Sequence, residues 1–124
     1  MPALSELTQQ ADWKKEKHAP VIECPDQVPA GEFVAVQVSV GQEIAHPNTL
    51  EHHIAWIDLY FQPEGGKFPI QVGHFAFTAH GESGTFAAPA ATASLKVDKP
   101  GVLYALALCN VHGLWESSKE IGLA

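Results

Sequence analysis

The chain has 124 residues, 46% of them hydrophobic, and a formal charge of −7 with no arginine. Such a length suits one domain that buries a core, so residues 1–124 are read as a single unit with residues 1–12 as an N-terminal arm. The acidic balance argues against nucleic acid and anionic membrane as partners, and no apolar run approaches the about 18 residues that a membrane span requires.

The chain opens on Met1-Pro2-Ala3-Leu4-Ser5-Glu6. This start has neither the basic region nor the apolar stretch of a secretory signal, so a cytoplasmic protein is expected. In that compartment Cys24 and Cys109 are read as free or metal-bound thiols. Ser5 to Gln10 is polar and can form a short helical turn. Asp12-Trp13-Lys14-Lys15-Glu16-Lys17-His18-Ala19-Pro20 follows, too charged for a core strand, and holds three of the seven lysines. Taken alone, this basic spot reads equally well as a solvated arm. Pro20 biases His18 and Ala19 toward an extended loop.

The remainder reads as β structure. Val21 to Cys24 is a short strand closed by Pro25, with Cys24 as a small packing residue. From Phe33 to Val40, Val34, Val36, Val38 and Val40 alternate with Ala35, Gln37 and Ser39, the period of a half-buried strand. Ile54 to Phe61 is apolar on both faces except at Asp58, which predicts a buried strand. After the turn at Pro63-Glu64-Gly65-Gly66, Phe68 to Thr78 alternates with a change of phase at Gly73, the mark of a bulge. Gly81 to Ala91 reads as a small-residue loop, followed by a strand with Ala93, Leu95 and Val97 on one face. Asp98-Lys99-Pro100-Gly101 turns the chain into a last strand, Val102 to Cys109.

Short strands separated by turn signals, with almost no helix, predict an all-β fold, an immunoglobulin-like antiparallel β-sandwich. The antibody signature is absent. Trp56 comes too late after Cys24, and Ala107 stands where a tyrosine would precede the second cysteine.

Chemistry gathers at two places. Cys109-Asn110-Val111-His112-Gly113-Leu114-Trp115 sets a thiol near an imidazole directly after a buried run. A thiolate is a soft anionic ligand and a neutral imidazole a borderline one. A cysteine that ends a strand is ordinarily a packing residue, so this pair means little alone. The second run is His46-Pro47-Asn48-Thr49-Leu50-Glu51-His52-His53, a loop leading into the Ile54 strand. Strand neighbours point to opposite faces, so His52 is placed on the face of Ile54 and Trp56, and His53 is left to packing or solvent. Each histidine taken singly is more often structural than a ligand. Four histidines and a cysteine from loops at one end of a sandwich are harder to dismiss.

Together, Glu16-Lys17-His18-Ala19-Pro20, His46-Pro47-Asn48…His52-His53 and Cys109-Asn110-Val111-His112-Gly113 resemble the superoxide reductases. The likeness is to the one-iron type, or neelaredoxin, which matches the catalytic domain of desulfoferrodoxin. It runs from Trp13 to Trp115, with Ala19 where a larger apolar residue is usual. The resemblance implies an oxidoreductase that reduces superoxide to hydrogen peroxide at one non-haem iron cycling between Fe2+ and Fe3+. His18, His46, His52 and His112 would be equatorial ligands and Cys109 the axial thiolate. Glu16 would take the sixth position on oxidised iron, and Lys17 would stand beside the open site. The family further implies a rubredoxin-like electron donor and a homotetramer.

These residue types suit that chemistry. Five protein ligands leave one position for superoxide, Lys17 supplies a local cation for an anionic substrate, and the N–H groups of Val111 and His112 are candidate donors to the Cys109 sulfur. Other readings use the same residues less fully. A copper or iron electron-transfer protein on a β-sandwich could use His46, Cys109 and His112, but the only methionine is Met1 and His18 and His52 would be idle. Four histidines and a cysteine exceed the four ligands of structural zinc. A plain binding module would leave all five without a role.

Overall fold

In the computed structural model, which describes residues 1–124, nearly all regular structure is strand. One helical turn, α1 (Leu4–Leu7), lies in the arm. Ten strands follow: β1 (Val21–Glu23), β2 (Gln27–Val28), β3 (Phe33–Ser39), β4 (Ile54–Pro63), β5 (Ile70–Ala76), β6 (His80–Glu82), β7 (Thr85–Phe86), β8 (Ala90–Lys96), β9 (Gly101–Cys109) and β10 (Gly113–Leu123). They form a three-stranded sheet, β1-β3-β8, a five-stranded sheet, β2-β10-β9-β4-β5, and the small β6-β7 hairpin. The neighbours are antiparallel except β2 and β10, which run parallel.

The sandwich closes on the inward faces that alternation marks. Val36 and Val38 from the smaller sheet, with Val40 just past it, meet Ile57, Leu59, Phe61, Leu103, Ala105, Ala107 and Cys109 from the larger one in a single buried cluster. Full burial of a side chain of valine or leucine size stabilises by about 1.5–3 kcal/mol, so these positions fix strand register. The phase change near Gly73 is a bulge. Leu59 pairs with Gly73 and Tyr60 with Gln71, which leaves Val72 unpaired.

Four expectations change. β10, the longest strand, falls where no strand was read. β6 and β7 lie in the segment read as a loop, and the two-residue β2 also went unread. Trp56 is not on the face of Ile54, because the β4–β9 register shifts between them and the buried face continues through Ile57, Leu59 and Phe61. The residue inserted at a bulge reverses the faces beyond it.

This topology brings the singled-out loops to one end. β1 pairs with β3 through Val21 and Ser39, so His18, before β1, emerges beside the loop that follows β3 and carries His46. Ile54, at the start of β4, pairs with Cys109, at the end of β9, so His52 and the Cys109 turn are neighbours as well.

Candidate metal centre

The four expected histidines close into a square. Ring centroids are 4.9 Å apart for His18 and His46, 4.7 Å for His46 and His52, 5.0 Å for His52 and His112, and 4.8 Å for His112 and His18. The His18–His52 diagonal is longer, 6.4 Å. Donor atoms of His18, His46, His52 and Cys109 all lie within 4.8 Å of one another. His112 belongs with them, since its Nδ1 is 3.2 Å from His18 Nε2, 3.2 Å from His52 Nε2 and 3.8 Å from the Cys109 sulfur.

Outer contacts decide which nitrogen each ring turns inward. His18 Nδ1 faces the Glu16 carboxylate, which leaves Nε2 for the cluster. His46 Nδ1 donates to the Pro47 carbonyl at 2.7 Å, and its Nε2 is buried with no partner. A buried polar atom left without a partner is costly and uncommon. Here it is a lone pair aimed at other lone pairs, a set that a cation satisfies. Two nitrogens held about 2.1 Å from one ion at right angles would stand about 3 Å apart, close to the spacings observed. The residues therefore fit a metal ion, with a square of four imidazoles and one thiol.

At His46 and His52 electrostatics favour the neutral ring, as metal binding demands. Burial, above all, pushes His46 down to about 4, although its bond to Pro47 pulls the other way. The charges of His18, His52 and Lys17 add to the lowering. His52 is also lowered, first by desolvation and then by His112, His18, Lys17 and His53. Lys17 is the one lysine whose charge contributes to the lowering at both rings. Glu16 is raised by partial burial, but its bonds to His18 and Ala19 outweigh that and hold it below its ordinary value. Its carboxylate accepts the N–H groups of His18 at 2.6 Å and Ala19 at 3.0 Å besides meeting the His18 ring. A carboxylate on the far nitrogen of a ligand histidine fixes ring orientation and raises its basicity.

One of the two backbone donors expected at the sulfur is in place. The His112 N–H donates to Cys109 Sγ at 3.3 Å, while Val111 makes no such bond. Cys109 is buried; Cys24 is half-buried, and both are free thiols. His53 stays out of the square. Its ring stacks on His80 with centroids 3.5 Å apart, and its Nδ1 donates to the Thr49 carbonyl.

Several residues to which the sequence gives no role support the candidate ligands. Trp115 stacks on His18 at 4.8 Å and 12°, and its indole N–H donates to the His112 carbonyl, which Gln9 also reaches. Asn48 donates to Ala87 and accepts from the ring of the buried His80, which anchors the loop between His46 and His52. The CNVHGLW run contains Trp115, but only the fold shows that its ring lies against a histidine almost a hundred positions earlier.

Residues 10–118 match the desulfoferrodoxin family. The chain is 54% identical to the neelaredoxin of Megalodesulfovibrio gigas, with 97% of this chain and 98% of that protein covered. It is also 54% identical to a superoxide reductase of Pyrococcus horikoshii, with 95% of this chain and 98% of the relative covered. Among solved structures, the superoxide reductase (neelaredoxin) of Archaeoglobus fulgidus in its reduced form superposes with a TM-score of 0.87 at 52% identity, covering 94% of this chain and 99% of that one. Identity at this level over nearly the whole length, on the same fold, settles the relationship: the chain belongs to the desulfoferrodoxin family.

Proposed function

We propose that the protein is a superoxide reductase, which delivers one electron and two protons to superoxide to yield hydrogen peroxide at a single iron. His18, His46, His52 and His112 would hold the iron as a square, and Cys109 would bind it as a thiolate. The observation that carries this reading is the closed square of four rings around the orphaned Nε2 of His46. Tetrahedral zinc and trigonal copper sites do not use such a set.

When bound, iron supplies the electron by passing from Fe2+ to Fe3+ and offers one position not taken by protein. The chain contributes everything else. Glu16 and Pro47 hold the rings of His18 and His46 so that Nε2 of each faces inward. Cys109 contributes anionic sulfur from the core side, and the His112 N–H moderates its charge. Lys17 draws an anionic substrate to an otherwise acidic molecule. His112 is exposed to water, so solvent on that side would supply the protons.

Glu16 would be a further ligand to the oxidised metal, as the family resemblance implies; in the structure its carboxylate meets the His18 ring and the N–H groups of His18 and Ala19. The electron donor is taken to be a rubredoxin-like carrier and the assembly a homotetramer, as the family resemblance implies, and the compartment is taken to be the cytoplasm. No helix is long and apolar enough to cross a membrane.

The test is metal analysis of protein purified without added metal, with spectra of the reduced and oxidised forms and peroxide counted against superoxide consumed. The expected result is about one iron per chain and one peroxide per superoxide. Bound copper or zinc overturns the iron assignment. One peroxide for every two superoxides indicates dismutation instead.

A further inference from the structure

Asn110 follows Cys109 directly and is exposed. An asparagine in a turn usually bonds to its own turn. This one reaches a segment almost sixty positions earlier. Its Oδ1 accepts the His53 N–H at 2.8 Å, and its Nδ2 donates to the Glu51 carbonyl at 3.0 Å. Its backbone N–H donates to the His53 carbonyl at 3.2 Å. The side chain thereby grips the peptide groups on both sides of His52.

The pairing geometry explains why a side chain is needed. Ile54 pairs with Cys109, so an antiparallel ladder would next set His53 opposite Asn110. Half of that step forms, through the Asn110 N–H and the His53 carbonyl. The other half cannot form between backbones, because the chain turns away toward His112. The amide oxygen replaces the missing carbonyl, and the amide N–H₂ adds a bond on the far side of His52. Only a carboxamide presents an acceptor and a donor side by side at this reach. Aspartate supplies the acceptor alone.

We infer that Asn110 is a positioning residue of the metal centre, which fixes His52 at its distance from the Cys109 sulfur. The inference rests on the metal-centre reading above. Partners that orient a ligand typically change metal affinity by about 10–100-fold when removed, and a shifted His52 would also alter the field felt by the thiolate-bound iron.

The experiment compares the iron-loaded parent with Asn110→Ala and Asn110→Asp. Three quantities are read: the rate of Fe2+ loss to an excess of chelator, the position of the sulfur-to-iron charge-transfer band in the oxidised form, and the thermal midpoint of the metal-free protein. The expected result for Asn110→Ala is Fe2+ loss at least about tenfold faster with a displaced band. Asn110→Asp, which keeps one of the two side-chain bonds, should fall between. Parental iron loss and band position in a folded Asn110→Ala overturn the inference, even if the thermal midpoint drops, since that is all a merely structural turn residue would show. If the alanine variant does not fold, the aspartate variant decides by the same two readouts. A parent that binds no iron sinks the metal-centre reading itself.

Discussion

At the scale of single residues, the contrast between His52 and His53 is the sharpest consequence of the square. His52 sits between His46 and His112, whereas the ring of His53 stacks on His80 outside it. His52→Ala should therefore lose iron. His53→Ala should retain iron and lose its stacking contact, worth roughly 0.5–1.5 kcal/mol, together with its bond to the Thr49 carbonyl. Iron content and thermal midpoint of the two variants check this, and the reverse pattern would put the wrong ring at the metal. Cys109→Ser should keep its fold, because the substitution is nearly isosteric at a buried strand end, but lose the sulfur-to-iron absorption band and most activity. An unchanged spectrum would exclude the thiolate. The candidate ligands stood out in the sequence because few residue types bind a soft metal and these fall in three short runs. Their supports did not, because glutamine, asparagine and tryptophan have many uses. Gln9, Asn48 and Trp115 acquire meaning only through partners distant in the chain.

At the scale of elements, the sequence carries the core strands well and the connecting ones poorly. In β3, period two is plain because one face is buried and the other wet. In β10 the run Glu116-Ser117-Ser118-Lys119-Glu120 weakens any strand signal, and the pairing with β9 from Gly113 to Ile121 overrides local preference. The β6-β7 hairpin is anchored by His80, whose ring reaches Asn48 and Phe77, a tertiary cause invisible in a window of neighbours. The loop from β3 to β4 depends on its second residue. Gly41 has φ +87, and a Cβ there would stand 2.7 Å from the His46 backbone nitrogen. Gly41→Ala should destabilise by roughly 1–3 kcal/mol and reduce iron occupancy, because the strain falls on the segment that carries His46, a proposed ligand. Leu59→Ala, in the sheet but away from the loops, should cost about 2–5 kcal/mol with full iron occupancy in whatever protein remains folded. Denaturant titration beside metal analysis separates the two. Equal iron loss in both would mean that occupancy merely follows global stability.

For the molecule as a whole, the question is how a chain of net charge −7 attracts an anion. Its mean field repels superoxide, so the attraction must be local, and Lys17 is the cation whose charge reaches His46 and His52. Lys17→Ala should slow the bimolecular reaction of the reduced enzyme and leave its iron content intact. It should also change how the rate responds to salt. In the parent, added salt screens the local attraction and slows the reaction. Without Lys17 the residual field is that of the acidic chain, so the salt dependence should flatten or reverse sign. Glu16→Ala predicts a different pattern. It removes one negative charge near the site, so the bimolecular step should be equal or slightly faster. It also frees the His18 ring from its carboxylate partner, so the ferric spectrum should change. Stopped-flow or pulse-generated superoxide at several ionic strengths, with ferric spectra of each variant, distinguishes the roles. If both variants match the parent in rate, salt response and spectrum, the lysine-rich segment is a solvated arm and the approach of superoxide is governed elsewhere.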